Sequence, residues 1–254
     1  MPRKARKRSN SGIYHLMLRG VNRQNIFMED EDRLKFMETV RRYKQVSNYE
    51  IYAYCLMNNH VHLLIKENKE PISIIMKRIS SSYVLWYNKK YSRCGHLFQE
   101  RFRSEAVETD AYFLTVLRYI HQNPLKAGIT KKSNSFRWSS YHEYMENASI
   151  VDIEFGLNMF SQDKETAKNL FEQYTNEINN DQCLDDQEKP LVVTDKEVLE
   201  HLKELGILNI SELHRLDKPE RNEFIRKLKK MPGVSIRQLA RITGISKSMI
   251  GRIN

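Results

Sequence analysis

Two apolar runs, YEIYAYCLM (49–57) and HVHLLIKE (60–67), stand end to end with only Asn58 and Asn59 between them. Short runs rich in β-branched and aromatic residues, joined by two turn-forming residues, read as a β-hairpin. A hairpin commits the chain to an antiparallel sheet, so everything else must be packed around it. Side chains on a strand alternate between faces, so His60, His62 and Leu64 share one side while Val61, Leu63 and Ile65 share the other. Two imidazoles on one strand face are either incidental polar positions of a half-exposed strand or a pair of metal ligands. The chain has 8 histidines, enough for such a pair to arise by chance, and it needs partners before it carries chemistry.

The remaining elements follow from periodicity. GIYHLMLRG (12–20) alternates like a strand. DEDRLKFMETVRRYKQVSN (30–48) places Leu34, Met37, Val40, Tyr43 and Val46 at helical spacing behind an acidic first turn. PISIIMKRISSSYVLWYNKKY (71–91) begins at a proline and continues as a helix. LFQERFRSEAVE (97–108) reads as a further strand, and TDAYFLTVLRYIHQ (109–122) as a capped helix stopped near Asn123-Pro124. The order β-α-β-β-α-β plus a helix predicts an α+β fold, a ferredoxin-like antiparallel sheet with helices on one face. Past residue 150 the apolar pattern thins, and helical patterns resume at 195–205 and 218–230 before an all-α C-terminal region. The expected organisation is a basic flexible arm (1–11), a sheet-bearing domain (12–148), an acidic connecting region or linker (149–190) and a helical region (191–254).

Charge is distributed in blocks. Residues 1–150 carry 26 Lys and Arg against 14 Asp and Glu, residues 151–204 carry 5 against 14, and residues 205–254 carry 11 against 4. A basic front and a basic tail flanking an acidic middle suggest two polyanion-facing modules. The 3 cysteines, Cys55, Cys94 and Cys183, form no C-x-x-C pair, which argues against a disulfide framework or a zinc finger and makes a reducing cytoplasm the expected location. No apolar stretch is long enough to span a bilayer, and MPRKARKRSNSG lacks the apolar segment of a signal peptide.

The histidines gain partners on the 109–122 helix. Tyr119 and Asn123 are four residues apart and share a helix face. A phenol beside a carboxamide oxygen, with two imidazoles on a nearby strand, suffices for metal-assisted attack on phosphate. His60, His62 and Asn123 would hold a divalent ion, and Tyr119 would be the nucleophile. Gln122, next to Asn123, is a rival third ligand.

The segments MNNHVHLLI, GHLFQERFRSEAVE, LRYIHQNPLKAGI and RWSSYHEY (137–144) occur here in an order and spacing that resemble the HUH single-tyrosine transposases, and among them the REP-associated tyrosine transposase-like proteins. The resemblance covers roughly residues 10–145. It implies that residues 12–148 form the catalytic domain, with His60 and His62 as metal ligands, Asn123 at the third position and Tyr119 as nucleophile. It further implies cleavage of single-stranded or hairpin DNA through a 5′-phosphotyrosine, followed by strand transfer, with Mg²⁺ or Mn²⁺ as cofactor and a homodimer as the working form. Two nitrogen ligands suit Mn²⁺ better than Mg²⁺.

Arg101 and Arg103, expected on one strand face, suit phosphate contacts or a plain basic edge strand. Tyr83, Trp86 and Tyr87 could stack bases, although their helical spacing favours core packing. In the tail, SIRQLARITGIS puts Ala240 and Gly244 at the packing and turn positions of a helix-turn-helix over 234–254, with Ser246 as cap and Ile250 packing back. Lys247, Ser248 and Arg252 would then face duplex DNA from a short second helix. The rival functions are a domesticated DNA-binding regulator without cleavage, and a relaxase or rolling-circle replication initiator.

Overall fold

A computed structural model describes residues 6–184, 194–231 and 234–253, and divides the chain into two compact units, 1–185 and 186–254. The hairpin is built as β2 (Glu50–Leu56) and β3 (His60–Lys66), paired antiparallel. On the far side of β3 lies β1 (Ile13–Arg19), with Arg19 opposite His60 and Met17 opposite His62. The short β4 (Arg103–Ala106) pairs with β1, giving the sheet order β2-β3-β1-β4. Helix α1 (Asp30–Ser47) links β1 to β2, and α2 (Ile72–Lys90) links β3 to β4. This is the expected α+β, antiparallel, ferredoxin-like order.

Both faces of the two central strands are buried: Leu16, Leu18, Leu63 and Ile65 on one, His15, Met17, His62 and Leu64 on the other. Such strands need cover on both sides. Helices α1 and α2 pack against each other on the first face, where Tyr14 donates to Glu67 and Glu67 accepts from the backbone N–H of Ile72 at the start of α2. The second face is covered by α3 (Asp110–Lys126), which buries Phe113, Val116, Leu117 and Ile120 and is capped by Thr109. Helices therefore lie on both faces of the sheet and not on the single face expected, because both faces of the central strands carry apolar side chains.

Several boundaries differ from expectation for identifiable reasons. In α1 the expected Val40 is buried and Met37 and Tyr43 pack partly buried against the core, but Leu34 and Val46 are exposed, and Arg33, Phe36 and Thr39 are buried in addition. The strand expected over 97–108 shrinks to Arg103–Ala106, since residues 97–102 leave the ladder after the single bridge from Phe98 to Gly20. Helix α3 runs through Pro124 to Lys126. A proline in the last turn forfeits one hydrogen bond to Ile120 rather than breaking the helix, which keeps Asn123 in register with Tyr119. The arm expected to be flexible is docked where it is described: Arg6 donates to the Phe102 carbonyl and lies over its ring at 3.8 Å, and Asn10 and Ser11 donate backbone N–H groups to Glu108. Its residues 1–5 lie outside the described residues.

The largest correction concerns 149–190. Helices α4 (Tyr141–Met145), α5 (Ile153–Leu157) and α6 (Lys164–Asn176) belong to the first unit. Ala167, Phe171 and Thr175 recur every four residues and are buried, and Phe171 stacks on Tyr144 at 4.6 Å between ring centres. Only this narrow stripe of α6 is apolar, while its acidic residues, Glu165 and Glu172, lie off it, which is why the composition of the segment reads as a linker. We expect Phe171→Ala to cost about 3–5 kcal/mol, read as a lowered melting temperature of the first unit. A loss below about 1 kcal/mol would return α6 to the status of a surface passenger. Residues 185–190 of the expected linker, and 191–193 of the expected helical region, lie outside the described residues.

The second unit is built, among its described residues, from α7 (Asp195–Glu204), α8 (Ile210–Arg215), α9 (Lys218–Lys229), α10 (Ile236–Thr243) and α11 (Lys247–Arg252). Its own core holds Val198, Leu202, Leu213, Ile225, Leu228, Leu239 and Ile250. Gly244 ends α10 with φ 71°, a left-handed conformation that suits glycine, and the Ser246 side chain accepts from the Met249 N–H to start α11. Among the described residues no helix is long and apolar enough to cross a membrane.

Candidate active site

The strand period places His60 and His62 on the face of the sheet that α3 covers, and the helix period turns Tyr119 and Asn123 toward them. The two imidazole rings lie 5.0 Å apart at 86°. The Asn123 carboxamide sits between them, with Oδ1 3.4 Å from His60 Nε2 and Nδ2 3.3 Å from His62 Nε2. The Tyr119 ring packs edge-on at 5.7 Å from His62 and 5.8 Å from His15, and is 4% exposed. All four residues singled out as the catalytic set therefore meet within one chain.

The imidazoles are each held by their other nitrogen. His60 Nδ1 lies 2.6 Å from the Asn59 side-chain oxygen, so that nitrogen carries the proton that is donated. His62 Nδ1 lies 3.0 Å from His15 Nε2. Burial, followed by the positive potential from His60, His15 and Arg19, holds His62 well below the usual imidazole range. Burial alone pushes His15 down to about 3. A neutral imidazole is the form that can ligate a metal. Among the described residues no group of three His, Cys, Asp or Glu side chains is placed to hold an ion, so a site here would be completed by the carboxamide. The donors present are two Nε2 atoms and one carboxamide oxygen, with the opposite ring nitrogens already engaged. That is the arrangement expected of imidazoles positioned to ligate a metal, and the nitrogen content suits Mn²⁺ more readily than Mg²⁺.

Gln122 does not compete. Its amide donates to the carbonyls of Thr175 and Glu177, and its oxygen accepts from Asn179 at 2.8 Å. One residue along a helix is a turn of about 100°, which points Gln122 at the end of α6 instead of at the sheet. Arg118 faces the same way, paired with Asp181 and Glu177 and stacked over Tyr174 at 4.0 Å.

The basic residues divide unequally. Arg103 is on β4 opposite Met17, itself opposite His62, so it projects on the histidine face. Arg101 is exposed but precedes the strand, so the two arginines do not form the expected single strand face. Arg19, unremarked in the sequence, stands opposite His60 on the same face. Lys126 Nζ lies 5.1 Å from the centre of the Tyr119 ring. Tyr83 and Tyr87 are buried in the core, with the Tyr83 hydroxyl donating to the Ile26 carbonyl, so neither offers an open face for a base, and Trp86 is partly buried against the core. Lys247, Ser248 and Arg252 are exposed on α11. His15 and Asn59 escaped sequence reading as well. The signal for His15 was its place in an alternating strand, but only strand register puts it beside His62.

Residues 8–123 match the protein family described as "Transposase IS200 like". A protein of Haemophilus influenzae named as a REP-associated tyrosine transposase is 25% identical over 165 residues, covering 59% of this chain and 90% of the relative. A solved structure of a REP-associated tyrosine transposase bound to a REP hairpin superposes with a TM-score of 0.51 at 16% identity, covering 61% of this chain and 96% of that one.

Proposed function

We propose, from the match of residues 8–123 to the IS200-like transposase family, that the chain cuts and rejoins single-stranded DNA at a hairpin through a 5′-phosphotyrosine on Tyr119. The observation that carries this reading is the convergence of His60, His62, Asn123 and Tyr119 at the sheet face. The chemistry is a phosphoryl transfer with the protein as acceptor. Tyr119 Oη forms a bond to phosphorus as the bond to the upstream nucleotide's 3′ oxygen breaks. The phenol proton is lost, the 3′ oxygen gains one, and the 5′ phosphate stays on the tyrosine. A 3′-OH from the same or another strand then reverses the step, which is strand transfer.

His60 and His62, through Nε2, and Asn123, through its oxygen, would hold a divalent ion, with Mn²⁺ the better match and Mg²⁺ the other candidate. When bound, that ion supplies Lewis-acid stabilisation of charge on the phosphate. Arg19 and Arg103, on the same sheet face, suit contacts to the flanking backbone, and Arg101 suits contacts from the adjoining loop. The edge-on packing of Tyr119 against His62 and His15 restrains the ring, so the nucleophile is positioned before substrate arrives. The set is complete within one chain, which favours a site built in cis whether or not two copies associate. The test is incubation with end-labelled hairpin DNA and Mn²⁺. A covalent protein–DNA band with a polymerase-extendable 3′-OH supports this function, whereas hairpin binding without any adduct favours a regulator that has lost cleavage.

The second unit is proposed as a duplex-DNA module of the helix-turn-helix type. Supporting this are the helix–turn–helix connection at Gly244, its separate core, and exposed Lys247, Ser248 and Arg252 on α11. Deleting 186–254 should weaken binding to a duplex flanking the hairpin by about tenfold or more while leaving cleavage of a short hairpin near its original rate. Binding by the full chain should fall steeply with added salt, because neutralised phosphates release counterions. Equal duplex affinity with and without the second unit would remove this assignment.

A further inference from the structure

His15, on β1, is fully buried on the sheet face that α3 covers, is no part of the ligand or nucleophile set, and yet touches both: its Nε2 lies 3.0 Å from His62 Nδ1 and its ring is 5.8 Å from that of Tyr119. Its other nitrogen, Nδ1, faces Glu105 Oε2 across 4.0 Å. Both of those atoms are buried, and neither has a hydrogen-bond partner. Glu105 also lies beside the Tyr112 phenol, which burial and then this carboxylate push above its ordinary range. Two orphaned buried polar atoms aimed at each other define a direction for the protons between them.

We propose that His15, oriented by Glu105, is a positioning residue that fixes the tautomer of His62. The inference rests on the reading of His62 as a metal ligand. A carboxylate at Glu105 can only accept, so the His15 proton resides on Nδ1, facing it. His15 Nε2 is then an acceptor, and His62 must place its proton on Nδ1 to donate to it. That leaves the His62 Nε2 lone pair pointing at the Asn123 amide, on the side where an ion would bind. The opposite tautomer would aim an N–H at the ion and abolish ligation. A carboxylate or carbonyl behind a ligating imidazole is the usual arrangement; here a second imidazole is interposed because β4 stands one strand further from β3, across β1.

The chain of donors predicts different outcomes for three variants. His15→Leu removes the acceptor. His15→Gln retains an oxygen that can accept from His62 Nδ1. Glu105→Gln presents an N–H₂ to His15 and reverses every donor along the line, as Asn for Asp does behind a catalytic histidine. The readout is the ring ¹⁵N spectrum of the metal-free, histidine-labelled full chain, with the His62 signals assigned by their loss in His62→Gln. Wild type and His15→Gln should show His62 protonated at Nδ1. His15→Leu and Glu105→Gln should shift it toward the Nε2 form.

Mn²⁺ affinity, measured separately by titration of the free-ion resonance signal, should fall about 10- to 100-fold in His15→Leu and Glu105→Gln and recover in His15→Gln. A folded Glu105→Gln or His15→Leu protein whose His62 stays in the wild-type tautomer overturns the proposal. Failure of the wild type to bind Mn²⁺ would instead overturn the metal reading alone, since the tautomer is read without any ion present.

Discussion

Tyr119→Phe should fold, bind hairpin DNA with the affinity of the parent, and form no covalent adduct. The substitution removes one oxygen and leaves the ring, and it is the ring that packs against His62 and His15. The stability change should therefore stay near about 1 kcal/mol, the usual net worth of one hydrogen bond. Cleavage, by contrast, has no substitute acceptor and should fall by a factor on the order of 10⁶, the scale on which removing a nucleophile acts. Denaturing electrophoresis of labelled DNA against time distinguishes the two effects, because binding and adduct formation are scored on the same sample. Persistence of a phosphotyrosine in this variant would move the nucleophile. Tyr112, a heptad earlier, is the nearest alternative on α3, but burial and its hydrogen bond to Glu105 raise that phenol well above its ordinary range, which makes it a poor replacement.

Removing an imidazole should act differently from removing the phenol. His60→Ala and His62→Ala are expected to lower the cleavage rate and Mn²⁺ affinity together, each by about 100-fold or more, while a slow adduct persists at high metal concentration because the nucleophile is intact. The two variants should differ in stability. His62 is buried and partners both His15 and Asn123, so its loss leaves an unsatisfied buried nitrogen and a small cavity, at about 1–3 kcal/mol. His60 is only partly buried at the strand end, and its loss should cost less. Asn123→Ala should be the mildest of the three, since water can replace one oxygen ligand. Adduct formation with unchanged metal dependence in His62→Ala would sink the assignment of the ligand set while leaving Tyr119 in place.

The pairings within each element were legible because they follow from local geometry. A two-residue strand repeat puts His60 with His62, and a four-residue helical step puts Tyr119 with Asn123, whatever the rest of the chain does. The hairpin at Asn58-Asn59, the order of strands and helices, and the turn at Gly244 were legible for the same reason: they depend on residues within a few positions of one another.

Tertiary structure decided what lies opposite. Strand register brings His15 to His62 across 47 residues, and no pattern inside β1 specifies that offset. The choice between Gln122 and Asn123 is also made from outside α3. Both are carboxamides, one residue apart, and it is the end of α6 that engages Gln122 and leaves Asn123 to the histidines. That same helix was hidden in the sequence because its three buried positions are too few to outweigh its charges in composition, yet they suffice once the groove formed with Tyr144 and His121 receives Phe171. Periodicity carries information along one element, whereas register, burial and the occupancy of a shared surface depend on energies summed between elements far apart in the chain.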